Sequence, residues 1–181
     1  MAEAASALRL FFALWPPEDL QAKLAAWANK AAGKGRAMRR ENIHLTLAFL
    51  GATEPALLAV ISERARAVRF EHLQLRLDRV VYWKHNHIVW CGPDEDPPAL
   101  TAMVADLRAK LDAAAIRFDP KPFVSHLTLV RKSLGLAGAP RWKPLVWDVR
   151  DFALVRSVPV DGGVRYEVME RFAAQGGETG A

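Results

Sequence analysis

A single cysteine among 181 residues, Cys91, excludes an internal disulfide. It sits in the apolar run IVWC, where a free cysteine reads as a small buried side chain and not as a nucleophile. Its solitude fits a reducing compartment, and a cytoplasmic location is expected. No run of about 18 uncharged apolar residues occurs, so no membrane-spanning helix is expected. The opening MAEAASALRLFFALWPPEDL has neither the basic n-region nor the small-residue cleavage site of a secretory signal. Metal-ligand spacing is missing too. His85 and His87 have no carboxylate or cysteine at ligand spacing and read as exposed imidazoles of a turn. His72, following Glu71 at a strand start, reads as a surface residue. No metal and no cofactor are expected. The absence of a P-loop, and of a KxDG run to supply an adenylated lysine, argues against an ATP-driven ligase.

What is present suits one folding unit. Apolar residues make up 51% and charged residues 25%, enough for a real core and unlike a disordered chain. The length fits one domain, or two small lobes sharing an interface. A formal net charge of +5 favours a polyanionic partner such as nucleic acid without identifying one.

RLFFALW, residues 9–15, reads as a buried strand stopped by Pro16-Pro17, after which Leu20, Leu24, Trp27 and Ala31 share a helical face. The basic loop GKGRAMRR follows. IHLTLAFL, residues 43–50, alternates Ile43, Leu45, Leu47 and Phe49 on one face with His44, Thr46, Ala48 and Leu50 on the other, and Gly51 ends it. Thr53, Glu54 and Pro55 mark a helix start, with Leu57, Ile61, Ala65 and Val68 as its apolar stripe. LQLRLDRVVYW (73–83) and HIVWCG (87–92) read as strands joined at KHN. Asp96, before Pro97, caps a helix carrying Leu100, Met103, Val104, Leu107 and Leu111. The loop FDPKPF leads to the strand SHLTLVR (125–131), with His126 and Thr128 on one face. SLGLAGAPRWKP (133–144) reads as a mobile surface loop. DVRDFALVRSV and VRYEVMERF read as an antiparallel pair closing around DGG at 161–163.

The tetrapeptide HLTL therefore occurs twice, each time after a strand and a helix that ends roughly ten residues before it. A histidine and a threonine two apart on a strand put an imidazole and a hydroxyl on one face. If the two halves pack about a pseudo-twofold axis, both pairs face one cleft. Two imidazoles flanking a phosphate are what in-line displacement at a phosphodiester needs, one taking a proton from the attacking oxygen and the other protonating the leaving oxygen. With ordinary histidine pKa values near 6.5, one can be neutral and the other protonated near pH 7. Thr46 and Thr128 then donate to non-bridging oxygens. Arg131 would add a planar, permanently charged phosphate donor. It lies five residues after His126, so strict alternation turns it away unless the strand bulges or ends. The basic residues Arg36, Arg39, Arg40, Lys132, Arg141 and Lys143 would border the same cleft. Phe12, Trp83, Phe123 and Trp142 are the aromatic candidates for stacking a terminal base.

The opening RLFFAL, the motifs HLTLAFLG (44–51) and HLTLVR (126–131) and the gap of roughly eighty residues between them carry a resemblance over nearly the whole chain. The sequence resembles the RNA 2′,3′-cyclic phosphodiesterases, also called 2′-5′ RNA ligases, of the two-histidine phosphoesterase superfamily. The resemblance implies an α+β fold, bilobal, with two antiparallel-sheet lobes related by the internal pseudo-twofold repeat, a basic central cleft and helices on the outer faces. Residues 1–175 would form one bilobal domain of two interleaved halves, with 176–181 a disordered tail. The implied activity is metal-independent hydrolysis of a terminal 2′,3′-cyclic phosphate of RNA to a 2′-phosphate, reversible in principle as ATP-independent 2′-5′ ligation. His44 would be the proton donor to the departing 3′ oxygen and His126 the base that activates water, with Thr46, Thr128 and Arg131 on the phosphate. Ser125 stands where relatives often carry proline. RNA bearing cyclic phosphate ends is the expected partner, with no membrane, no obligatory protein partner and a monomeric state. The alternatives are a non-catalytic RNA-end-binding module and a phosphodiesterase for another small cyclic phosphate.

Overall fold

The strand, helix, strand unit occurs twice in the fold, as the doubled HLTL motif requires. The computed structural model describes residues 6–175; the expected tail at 176–181 lies outside them. In chain order the elements are β1 (Leu8–Leu14), α1 (Glu18–Ala31), β2 (Arg36–Ala37), β3 (Leu45–Thr53), α2 (Leu58–Arg66), β4 (Leu73–Leu77), β5 (Arg79–Trp83), β6 (Ile88–Gly92), α3 (Pro98–Ala113), β7 (Leu127–Arg131), β8 (Leu145–Val149), β9 (Asp151–Val160) and β10 (Gly163–Ala173). Short 3₁₀ turns occupy Arg40–Asn42 and Pro55–Leu57. The fold is α+β, with three α-helices and two antiparallel sheets among the described residues.

The larger sheet runs β10-β9-β1-β3-β7-β6-β5, with β2 paired to β7; β4 and β8 form the smaller one. β3 and β7 meet at one residue pair, Leu45 opposite Leu127. The larger sheet is therefore two half-sheets, one per repeat, pinched together where the two histidine strands cross. Their lobes join through this single pair and a shared core, which is less separation than two independent sheets would give.

Alternation decides which side of the sheet is packed. Leu10, Phe12 and Leu14 of β1, Leu45 and Leu47 of β3, and Leu127 and Leu129 of β7 enter one continuous apolar core with the helices and the smaller sheet. Each such fully buried leucine or phenylalanine is worth about 1.5–3 kcal/mol of transfer free energy. The helix of each repeat covers the other repeat's histidine strand, since α1 packs against β7 and α3 against β3. The opposite face carries a small cluster of Phe11, Ala13, Ala153 and Val155 and otherwise forms the floor of a cleft.

Local departures from the sequence reading have physical causes. Gly51 does not end its strand; at φ +70° it lets β3 pass a register shift and run on to Thr53, so Thr53 caps nothing. LQLRLDRVVYW is two strands in different sheets, broken at Asp78. Asp96 does not cap α3, whose first residue follows Pro97 without a side-chain cap. The buried stripe of α1 is Leu20, Gln21, Leu24, Ala25 and Ala28, leaving Trp27 at its edge, where the indole donates to the Pro140 carbonyl at 3.1 Å. A second indole, Trp142, donates to the Leu77 carbonyl at 3.0 Å, so the 133–144 loop is anchored at two points. Cys91 is buried in the core and burial pushes its thiol pKa up, against any nucleophilic role.

The end of β6 touches the approach to His126. A Cβ on Gly92 would collide with the backbone carbonyl of Ser125 and come within 3.0 Å of the Trp90 ring. Gly92→Ala should therefore cost about 1–3 kcal/mol, by the overpacking this forces, read as a lower denaturation midpoint at unchanged m-value. An unaltered midpoint would show that the two backbones separate freely there.

Candidate active site

Because β3 and β7 run antiparallel through Leu45 and Leu127, the preceding histidines, His44 and His126, emerge on the same face from opposite directions. Each is held by the same backbone device. His44 Nδ1–H donates to the Asn42 carbonyl at 2.7 Å, and His126 Nδ1–H donates to the Val124 carbonyl at 2.8 Å, two residues back in both cases. A carbonyl only accepts, so Nδ1 carries the proton and Nε2 is the unprotonated nitrogen of each neutral ring. The Thr46 hydroxyl donates to His44 Nε2 at 3.1 Å.

Both HLTL strands carry an extra residue directly after the threonine. On β3, Thr46 is opposite Ala13 and Ala48 opposite Phe12, leaving Leu47 extra. On β7, Thr128 is opposite Trp90 and Val130 opposite Val89, leaving Leu129 extra. These matched bulges invert the alternation beyond each threonine. Phe49 and Arg131, each five residues after its histidine, are thereby returned to the cleft face, and both line the cavity. The bulge that Arg131 needed in order to face the cleft is thus present. The carbonyls of the extra residues find partners outside the ladder: Leu47 accepts from the Arg108 guanidinium at 3.2 and 3.4 Å, and Leu129 from the Met38 N–H at 2.8 Å.

The cavity between the half-sheets, about 310 Å³, brings together all five residues singled out by sequence: His44, His126, Thr46, Thr128 and Arg131. It also contains residues that sequence reasoning missed. Arg9 lines it with its guanidinium 4.8 Å above the Phe49 ring; a lone charge in the apolar strand RLFFALW was the available signal. Asn42, buried beneath His44, supplies the carbonyl that fixes that ring and donates its amide to the Val164 carbonyl of β10 at 3.0 Å. Tyr166 meets His44 edge-on at 5.1 Å, and Trp15 stacks on the same imidazole at 5.3 Å with planes 7° apart. His126 lies against Trp83 and Trp90, at 5.0 and 6.0 Å between ring centroids. Of the aromatic candidates for stacking a base, Phe12 is core and Trp142 is tied to Leu77, whereas Trp83 and Phe123 border an adjoining depression. Of the histidines elsewhere, His72 is exposed, and His87 closes the Lys84–His87 turn with its Nδ1 3.1 Å from the Tyr82 hydroxyl. Among the described residues no group of three His, Cys, Asp or Glu is arranged to hold a metal ion.

These surroundings set the charge of the pair. Burial among aromatic rings pushes the His44 pKa down to about 4, against the pull of the Asn42 carbonyl, and the positive charges of Arg131 and His126 lower it further. His126 is lowered by the same burial and by Arg131, opposed by the Val124 carbonyl. Both imidazoles are therefore neutral at pH 7 in the free protein, in contrast to the expected split of one neutral and one charged ring. Among the described residues no carboxylate lines the cavity to favour an imidazolium. An anion placed between the rings reverses that balance.

The comparison with known proteins points the same way as this geometry. A family model described as LigT like Phosphoesterase matches residues 14–90. The RNA 2′,3′-cyclic phosphodiesterase of Thermus thermophilus is 32% identical over 188 residues, covering 93% of this chain and 91% of that protein. The chain belongs to the LigT-like phosphoesterase family. The RNA 2′,3′-cyclic phosphodiesterase of Escherichia coli K12 is 29% identical over 171 residues, 91% of this chain and 96% of its own. The crystal structure of E. coli LigT in its apo form superposes with a TM-score of 0.83 at 28% identity, over 94% of this chain and 99% of that one. The likeness to these LigT-like phosphoesterases thus extends through both HLTL strands and not only the one within residues 14–90.

In this member of the family, acid should weaken the fold through His44. Its folded pKa, about 4, lies below the unfolded value of 6.5, so between those values the unfolded chain binds more protons. Stability from this group is complete above pH 6.5 and is lost as pH falls toward 4. The ring's NMR titration should show a midpoint near 4 that rises when inorganic phosphate is added; a midpoint at 6.5 without phosphate would contradict the burial argument.

Proposed function

We propose that this chain hydrolyses the terminal 2′,3′-cyclic phosphate of RNA to a 2′-phosphate, as a cytoplasmic monomer that requires no metal. The observation that carries the reading is the pair of unprotonated Nε2 nitrogens, on rings held by identical backbone bonds, on one cavity with two threonine hydroxyls and Arg131. Relatives of matching length are named RNA 2′,3′-cyclic phosphodiesterases, and E. coli LigT has been crystallised with 3′-AMP and with phosphate.

In this reading the anionic cyclic phosphate enters between the rings and raises both histidine pKa values, so that His44 takes up a proton while His126 stays neutral. His126 Nε2 accepts a proton from a water molecule as its oxygen bonds to phosphorus. The P–O3′ bond opposite breaks, and His44 Nε2–H protonates the departing 3′ oxygen. The low intrinsic basicity of His44 makes its imidazolium a strong acid toward that oxygen. When His44 is protonated its Nε2 no longer accepts from Thr46, which frees the threonine proton for a non-bridging phosphate oxygen and leaves Nε2–H for the departing oxygen. Thr128 and Arg131 supply further donors as charge grows on the phosphoryl oxygens. The excess proton on His126 passes to solvent, and the pair is restored. A ribose 5′-hydroxyl in the place of water yields a 2′-5′ linkage without ATP.

The test is hydrolysis, in EDTA, of a short RNA ending in a 2′,3′-cyclic phosphate, with 2′- and 3′-phosphate products resolved. Wild type should give the 2′-phosphate, and His44→Ala or His126→Ala should each slow turnover by roughly 10²–10⁴-fold while RNA is still bound. Normal turnover by both variants would end the assignment, and binding without turnover by the wild type would leave an RNA-end-binding module. Replacing the bridging 3′ oxygen by sulfur, which leaves without a proton, should rescue His44→Ala and not His126→Ala. Since bound phosphate raises both pKa values, the pH optimum of kcat should lie above that of kcat/KM; coincident optima would count against the coupling.

A further inference from the structure

The histidine pair is nearly symmetric, but the two ends of its cavity are not. At one end the cavity opens into a depression of about 400 Å³ that shares Asn42, Arg131 and Tyr166 with it and adds Arg36 and Arg39. Among the described residues none that lines this end is acidic. Arg40, Arg66, Arg76, Arg79, Arg165 and Arg171 each pair with a carboxylate, whereas among the described residues Arg36, Arg39 and Arg131 have no such partner. The strand register sharpens the point. β2 pairs with β7 through two residues, and one of those pairs sets Arg36 directly across from Arg131. Like charges facing each other across a ladder are destabilising, and an anion between them removes the penalty.

The other end is built differently. It opens into a depression of about 510 Å³ bordered by Trp83, His85, Phe123 and the 41% exposed Val124. Its charges are already satisfied: Lys121 pairs with Asp119 at 3.2 Å, and Arg108 is bonded to the carbonyls of Leu47 and Lys121. An uncharged aromatic ring suits this end, by stacking.

A cyclic-ended RNA has two kinds of group to place around its reacting phosphate, the terminal base and the phosphodiester on the 5′ side of the terminal nucleoside. Resting on the hydrolase reading above, we propose that Arg36 and Arg39 bind that 5′ phosphodiester while the terminal base lies toward Trp83 and Phe123. The substrate is then an RNA of at least two nucleotides, and a cyclic mononucleotide lacks half of the recognition.

The test compares a nucleoside 2′,3′-cyclic phosphate with a dinucleotide carrying the same cyclic end, using wild type and Arg36→Ala/Arg39→Ala. Wild type should favour the dinucleotide in kcat/KM by about tenfold or more, as one charge-assisted phosphate interaction allows. The double variant should lose most of that preference and keep its mononucleotide rate within about twofold, which also certifies its fold. The salt dependence of kcat/KM for the dinucleotide should flatten in the variant by roughly 0.7 in log–log slope, the value for one phosphate that is no longer neutralised. Equal wild-type rates on the two substrates, or a variant that slows both alike, would overturn the proposal. Hydrolysis of neither substrate by wild type would overturn the activity itself.

Discussion

Each histidine strand carries an extra residue directly after its threonine, and the site depends on that placement. Without the bulges at Leu47 and Leu129, strict alternation would turn Phe49 and Arg131 into the apolar core. With them, histidine, threonine and the residue five after the histidine all reach the cleft, while Leu45, Leu47, Leu127 and Leu129 stay buried. A bulge leaves backbone carbonyls outside the ladder, and an unpartnered one in this interior would cost about 1–3 kcal/mol. The chain meets that need differently in its two halves, with the Arg108 side chain of α3 on Leu47 and the backbone of β2 on Leu129. Both solutions draw on the opposite repeat: α3 belongs to the second unit and serves β3, and β2 follows the first unit's helix and serves β7. The geometry of each half-site is thus a property of the whole fold.

The electrostatics follow from what surrounds the imidazoles. Aromatic rings and Arg131 hold both histidines neutral, and among the described residues no acid lines the cavity to anchor a permanent imidazolium. The proton that a leaving oxygen needs is therefore recruited together with the anion that needs it. A site already charged before binding would hold any phosphate tightly, including product. One that charges only in response to an anion spends less of its binding energy on the ground state.

Much of this was legible in the sequence, for reasons that also mark where legibility ended. The duplicated HLTL gave the strands, the shared face of histidine and threonine, and the repeat, because strand alternation is a local property. The helix stripe Leu100, Met103, Val104, Leu107 and Leu111 is buried as its spacing implied. Bulges, by contrast, are defined between strands, so a single strand read alone placed Phe49 with Leu45 and Leu47. The break at Asp78 was hidden for a similar reason: LQLRL and RVVYW both look like strand, and only pairing with β8 or with β6 separates them. Histidine pKa values near 6.5 were the natural assumption for exposed rings; the stacking of Trp15 and the packing of Tyr166 come from residues 29 and 122 positions away from His44 in the chain. Arg9 was passed over, because a charge within RLFFALW gains its meaning only from the cavity that it lines.

The duplicated scaffold also explains how two equivalent positions come to differ in function. Residue five after the histidine is Phe49 in one half and Arg131 in the other, and the cation that Phe49 lacks is restored by Arg9, seated on its ring. Positive charge therefore reaches both sides of the cavity by unlike routes, one a strand residue placed by a bulge and one a neighbour resting on an aromatic face. The Arg131 route brings a second arginine with it, since β2 sets Arg36 alongside, and charge accumulates at that end of the cleft. The Arg9 route brings an aromatic surface instead. A twofold arrangement of histidines can serve a substrate with distinct ends only if the flanks break the symmetry, and substituting one residue after a shared bulge is the smallest change that does so.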